Sequence, residues 1–348
     1  MEKKLPEELI EEINRKQRVE KIEDKIREKN VGKTRKAISI DNKGYKIVAV
    51  GNRVHRSDKW RTFPDFLKFH LEQLLGKEWL QSEVQKPLEE RHQILKWYDE
   101  AAYIQKKLRQ NEHGLYSLIP YGAASNLLHL SYDLYVLQHH LSLQDAMIAR
   151  LKDQNEFQGA RHELFAAATC IRAGFDIEYE DETDGKTKHP EFIAVHRETK
   201  QRIAIEAKSR HREGLLGKPG EIKTDRLMRG ITQLINRAIE KKPGIPYVIF
   251  IDINLPVSPE PEQWFKEIRR SLQRSGERKE INKDINNMII FTNQPNNYPG
   301  VKEGTPTIEP LYVISQIPLF PLKNPSILYE LKDAAGKYSY IPNSFEEA

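Results

Sequence analysis

Two glutamates and a lysine, set along what reads as a single β-hairpin, are the residues of this chain best suited to chemistry. Glu191 lies in His189-Pro190-Glu191-Phe192-Ile193-Ala194-Val195-His196, and Glu206-Ala207-Lys208 closes the run Arg202-Ile203-Ala204-Ile205-Glu206. Carboxylates offer hard oxygen ligands to a divalent cation, and a neighbouring lysine can position or activate an attacking water. This set suits metal-dependent cleavage of a phosphodiester bond. Other copies of Glu-x-Lys, such as Glu23-x-Lys25 and Glu330-x-Lys332, sit in charged helices, turns or loops. Only the copy at Glu206 ends a β-branched apolar run and has an acidic residue opening the run before it.

The elements that must position these residues follow from the same stretch. Residues 191–197 and 202–208 read as strands joined by the polar turn Glu198-Thr199-Lys200-Gln201. A hairpin symmetric about that turn sets Lys208 opposite Glu191, and Glu206 opposite Ile193. The two-residue period then puts Glu191, Glu206 and Lys208 on one face and Ile203, Ile205 and Ala207 on the other. A slip of one residue would separate the glutamates. The competing reading is a surface hairpin with a cross-strand ion pair.

At these residues the chain resembles the PD-(D/E)XK nuclease superfamily, over about 157–255. The order of elements carries the resemblance as much as the motif. A helix containing Ala160-Arg161-His162-Glu163-Leu164-Phe165 stops at Ala173-Gly174, and strands follow at 175–180, 191–197 and 202–208. A helix over 221–240 leads to the apolar strand Tyr247-Val248-Ile249-Phe250-Ile251-Asp252. The resemblance implies an α/β (α+β) fold: a helical N-terminal domain, then a restriction-endonuclease-like α-β-β-β-α-β core with a mixed central sheet. It implies that Glu191, Glu206 and the Ala207 carbonyl hold Mg²⁺, for which Mn²⁺ can substitute, and that Lys208 holds the attacking water. Glu163 and Gln233 are the implied helical contributors to the active site. The implied substrate is nucleic acid, DNA before RNA, cut by an endonuclease rather than an exonuclease, in defence or repair. One departure stands out: the family's motif has aspartate where this chain has Glu191. A catalytically inactive nucleic-acid-binding or scaffolding protein is the alternative.

Basic residues flank the motif on both sides. Lys223, Arg226, Gly230, Gln233 and Arg237 share one face of the 221–240 helix, while Leu227, Ile231, Leu234 and Ala238 line the adjoining side. A phosphate backbone suits such a stripe. After the catalytic strand come Arg210 and Arg212, whose guanidinium forks match phosphate oxygens. Gly214, Gly217, Pro219 and Gly220 then predict a mobile segment that orders on substrate.

Composition bounds the rest. The 348 residues carry 56 basic and 51 acidic side chains and a net charge of +5, which tolerates nucleic acid without demanding it. A single cysteine, Cys170, excludes an internal disulfide and a cysteine-rich zinc site, and reads as core packing. No apolar run reaches the roughly 18 residues of a membrane span, and no signal-peptide core follows Met1-Glu2-Lys3-Lys4, so a cytoplasmic protein is expected.

Three regions are expected: a charged helical arm (1–40), a mostly helical domain of unknown role (41–153), and the nuclease-like domain with further strands and a tail (154–348). The arm carries a thin apolar stripe, including Val19, Ile22 and Ile26, suited to a homodimer or another protein partner. Within 41–153, residues 46–50 read as a strand, and 63–75, 87–108, 123–140 and 143–152 as helices. His129, His139 and His140 read as structural, because no third ligand accompanies them. The last twenty residues read as a surface tail.

Overall fold

The computed structural model describes residues 7–107, 119–179, 189–218, 220–221, 230–256, 261–277 and 286–348. Its centre is a six-stranded sheet. The strands are β4 (Phe175–Glu178), β5 (Phe192–His196), β6 (Arg202–Ser209), β7 (Tyr247–Asp252), β8 (Met288–Asn293) and β9 (Glu309–Ile314), adjacent in that order. The pairs β4–β5, β5–β6 and β8–β9 are antiparallel, while β6–β7 and β7–β8 are parallel. The expected mixed sheet and order of elements are present.

Helices cover both faces, as parallel strands buried on both sides require. On one face Ile203, Ile205, Ala207, Val248 and Phe250 pack with α7 (Phe157–Arg172), α5 (Gly122–His139), α2 (Phe63–Leu75) and α10 (Ser326–Gly336). On the other, Ala204, Ile249 and Ile251 pack with α8 (Ile231–Ile239) and α9 (Pro261–Glu277), which contribute Ile235, Trp264 and Ile268. Buried residues of α2 and α5, from the segment 41–153, lie in the same apolar cluster as α7 and the sheet. The helical half and the sheet are thus packed through a shared core.

Local signals explain where elements start and stop. Thr62 Oγ1 accepts from the Asp65 amide while Asp65 Oδ2 accepts from the Thr62 amide, a capping box that begins α2. Gly174 has φ +97°, and a Cβ there would lie 2.8 Å from Lys33 Cδ, so glycine is needed at the turn from α7 into β4.

Two expectations are corrected. The single strand at 46–50 is the middle of a three-stranded antiparallel sheet of β1 (Ile38–Asn42), β2 (Tyr45–Val50) and β3 (Arg53–Ser57). Lys43 (φ 50°) and Gly44 (φ 82°) form its first tight turn. The last twenty residues are no surface tail: α10 precedes Tyr338, Phe345 and Ala348, all buried in the core, and the Ala37 amide donates to the Ala348 carbonyl. Among the described residues, α3 (Lys77–Val84), α4 (Gln93–Lys107) and α6 (Asp145–Lys152) also precede α7. The N-terminal α1 (Glu7–Val31) leaves Val19, Ile22 and Ile26 exposed. Among the described residues, no helix is long and apolar enough to cross a membrane.

Candidate active site

The β5–β6 hairpin sets the site. Its observed register pairs Phe192 with Ile205 and Ile193 with Ala204, and the Glu191 amide donates to the Ile205 carbonyl at 2.9 Å. Glu191 therefore stands opposite Glu206, not opposite Lys208. The register differs from the expected one by two residues, because the turn closes between His196 and Gln201 with Lys200 in a left-handed conformation (φ 56°). An even slip preserves the face. Glu191, Glu206 and Lys208 still share a side, while Ile203, Ile205 and Ala207 pack into the core beneath α7.

That side is the α8 side, and its setting is apolar. Glu206 pairs across the parallel ladder with Ile249, and Lys208 with Ile251, both fully buried. Glu206 is itself 0% exposed, so a carboxylate occupies a position where the neighbouring strand places isoleucine. Lys208 Nζ contacts Glu206 Oε1 and lies 3.1 Å from Glu191 Oε1. A second lysine, Lys241, completes the cluster: its Nζ is 2.8 Å from Glu206 Oε2 and 3.4 Å from Glu191 Oε1. Both ammonium groups stand at ion-pair distance from Glu206, yet neither Glu206 oxygen is in hydrogen-bonding geometry with a partner.

The charges perturb one another in opposite senses. Burial, reinforced by the Glu191 charge, pushes the Glu206 carboxyl up to about 7 against the pull of both lysines. Burial acts the same way on Glu191, but Lys208 and Lys241 outweigh it and hold that carboxyl below its usual range. Burial works to lower Lys208, yet the two glutamates keep its ammonium above the ordinary lysine value. Two carboxylates whose pKa values are pushed apart in this way are a frequent mark of a functional site.

Lys241 was invisible to sequence reasoning. It follows α8 directly, and Tyr247 anchors that end of the helix by donating its hydroxyl to the Ala238 carbonyl at 2.8 Å. A lysine in the charged run Glu240-Lys241-Lys242 carries no mark that separates it from its neighbours. Arg150 of α6 was missed as well. Its guanidinium donates to Glu163 Oε2 at 2.5 Å and to Oε1 at 2.7 Å. Glu163 comes near enough for Glu191 to help burial raise its pKa, but its two oxygens are engaged by Arg150.

The remaining expected residues are placed as follows. Gln233 and Arg237 lie on the exposed face of α8, opposite Ile235 and Ala238. Lys223 and Arg226 lie outside the described residues. Arg210 is 6% exposed, its amide donates to the Asp252 carbonyl and its own carbonyl accepts from Asn254 Nδ2. Arg212 is half-buried and donates to the Asn254 carbonyl at 3.3 Å. The described part of the following segment is anchored. Leu215 and Leu216 are buried, and Gln154 and Gln158 donate to the carbonyls of Gly217 and Leu215. Of the three histidines expected to be structural, His129 Nδ1 bonds the Ser125 carbonyl, His139 Nε2 bonds the Lys36 carbonyl, and His140 Nε2 accepts from the Arg35 amide.

Among the described residues, no three His, Cys, Asp or Glu side chains form a group that could hold a metal. Two carboxylates are nonetheless enough for Mg²⁺, which keeps several of its waters. The donor set of Glu191 and Glu206 fits a hard cation, and neither buried Glu206 oxygen is committed to a directed hydrogen bond. Compared with known proteins, the chain matches no protein-family model, no curated protein and no solved structure. The reading of the site stands on its geometry.

Proposed function

We propose that the cluster at Glu191, Glu206 and Lys208 is the active site of a divalent-metal-dependent nuclease, with DNA as the expected substrate. The observation that carries this reading is the pair of carboxylates facing each other across β5 and β6, Glu206 buried and Glu191 half-buried, with Lys208 two residues beyond Glu206 on the same face. Burying such a cluster beside isoleucines costs several kcal/mol relative to an apolar replacement. Glu191 and Glu206, with the Ala207 carbonyl, would hold Mg²⁺ or Mn²⁺, which when bound neutralises charge developing on a phosphate. Lys208 would orient the attacking water through Nζ, which both carboxylates hold in place. Gln233 and Arg237, on the exposed face of α8, would contact the substrate backbone.

A second reading is a nucleic-acid-binding or scaffolding protein without activity. It is favoured by the two lysines that already balance the two glutamates, and by the engagement of Glu163 with Arg150. One experiment separates the two. Mixed DNA and RNA substrates incubated with Mn²⁺ should be cut by the wild type, and cutting should fall by about 10²–10⁴ in Lys208→Ala, the usual contribution of a positioned proton-transfer group. Absence of Mn²⁺-dependent cutting by the wild type would favour the scaffold.

A further inference from the structure

Lys241 is the member of the cluster that the Glu-x-Lys pattern leaves without a role. Its Nζ bridges Glu206 Oε2 at 2.8 Å and Glu191 Oε1 at 3.4 Å, whereas Lys208 approaches Glu206 through the other oxygen. Two glutamates and two lysines balance when all are ionised. A divalent cation arriving beside both ammonium groups would leave two uncompensated positive charges in a poorly solvated place, so one lysine has to yield.

The two lysines are not equally free to yield. Lys208 belongs to β6, and its backbone is fixed by the ladder opposite Ile251. Lys241 lies two residues beyond the end of α8, ahead of Lys242 and Gly244, both with positive φ (40° and 72°). Both side chains reach solvent, Lys241 at 18% and Lys208 at 25% exposure, while Glu206 beneath them does not, so what sets Lys241 apart is a backbone outside the ladder.

We propose that Lys241 is a stand-in for the divalent cation: it bridges Glu191 and Glu206 in the metal-free protein and withdraws toward solvent when the metal binds. The proposal rests on the metal-dependent reading above. It makes the site stable when empty of metal and sets a threshold that the metal must overcome. Metal affinity is then a property tuned by Lys241 and not by the ligands alone.

The test is calorimetric titration of the full chain with Mn²⁺, alongside thermal melting with and without the ion. Lys241→Met and Lys241→Gln, which remove the competing charge, should each bind Mn²⁺ more tightly by about tenfold. Both should melt lower than wild type without metal and recover with it. Lys241→Arg, which keeps the charge, and Lys242→Met, which removes an exposed neighbouring charge, should bind like wild type. Wild-type or weaker affinity in both Lys241→Met and Lys241→Gln would overturn the proposal while leaving the nuclease reading intact. If no variant and no wild-type sample binds Mn²⁺, the metal-dependent reading falls and this proposal falls with it.

Discussion

Two buried ionic clusters stand on opposite faces of the large sheet, and they are built for different ends. Beneath α7, Asp133 Oδ2 accepts from Arg161 Nη1 at 2.8 Å and from the Tyr338 hydroxyl at 2.6 Å, while Arg161 Nη2 donates to that same hydroxyl at 2.6 Å. All three side chains are almost fully buried, and they tie α5, α7 and the C-terminal segment together. Beneath α8, Glu206 has two ammonium groups at ion-pair distance but no hydrogen-bonding geometry, and its partners remain partly open to solvent. The first cluster is held by directed hydrogen bonds through Asp133 Oδ2, although Asp133 Oδ1 has no partner. In the second, both lysines donate to Glu191 while Glu206 is held by ion pairing, an arrangement that suits exchangeable counter-ions.

The largest expected effect comes from breaking the first cluster. Arg161→Met would leave Asp133 buried with no cation, at a cost of about 3–5 kcal/mol for an uncompensated buried charge. Urea unfolding should report that loss, and any activity should fall with the fold. Glu206→Gln should do the reverse. It removes the Coulomb partner of two lysines that can turn to solvent, and it relieves a carboxylate whose burial disfavours its charge. We expect unfolding to change by no more than about 1 kcal/mol, while Mn²⁺ binding measured by calorimetry disappears. A collapse in stability comparable to Arg161→Met would make the second cluster structural after all.

A third buried carboxylate sharpens the contrast. Asp252, 4% exposed at the end of β7, has no ion-pair partner among the described residues, and one of its oxygens lacks any hydrogen-bond partner. Burial pushes its pKa from 3.8 up to about 7, against hydrogen bonds from the Asn254 amide and Ser209. The sign follows from proton uptake. Because the folded pKa is raised, the folded state binds more protons than the unfolded state between 3.8 and about 7, so stability is greatest at low pH and declines as pH rises through that window. Asp252→Asn should reduce that slope, leaving the share due to Glu206, and be more stable than wild type at about pH 8, in urea midpoints compared with those at about pH 5. A wild-type slope in the variant would mean that Asp252 is charged and compensated in the fold.

What could be read from the sequence was local. The alternation in Arg202-Ile203-Ala204-Ile205-Glu206 placed Glu206 and Lys208 on one face, and the fully apolar run 247–252 marked a central strand. The hairpin register could not be fixed, because nothing in Arg197-Glu198-Thr199-Lys200-Gln201 shows that Lys200 takes the left-handed conformation. The face survived only because the error was even. The Lys43-Gly44 turn signal was present and went unused, and β1 and β3 were lost with it. Lys241, Arg150 and the burial of Arg210 were out of reach, since each depends on which distant element packs against it. The aromatics Tyr338 and Phe345 could have argued against a surface tail, as large rings are seldom left unpacked.

The smallest expected effect lies on the outer face of α8. Of the residues expected to contact a phosphate backbone, Arg237 is the most exposed among those described, since Arg210 is buried and Arg212 half-buried. A phosphate contact at Arg237 would release a condensed counter-ion on binding. Arg237→Ala should then reduce the slope of log affinity against log salt by about 0.9 for duplex DNA. Sequence preference should stay as it was, because a backbone contact carries no base information. Melting temperature should stay as well, since Arg237 is exposed and is not among the buried residues of α8. Fluorescence anisotropy with one labelled duplex across a salt series reads the slope directly. An unchanged slope would make the outer face of α8 an ordinary solvated surface, and would move the search for the nucleic-acid contact to other basic surfaces around Glu191 and Lys208.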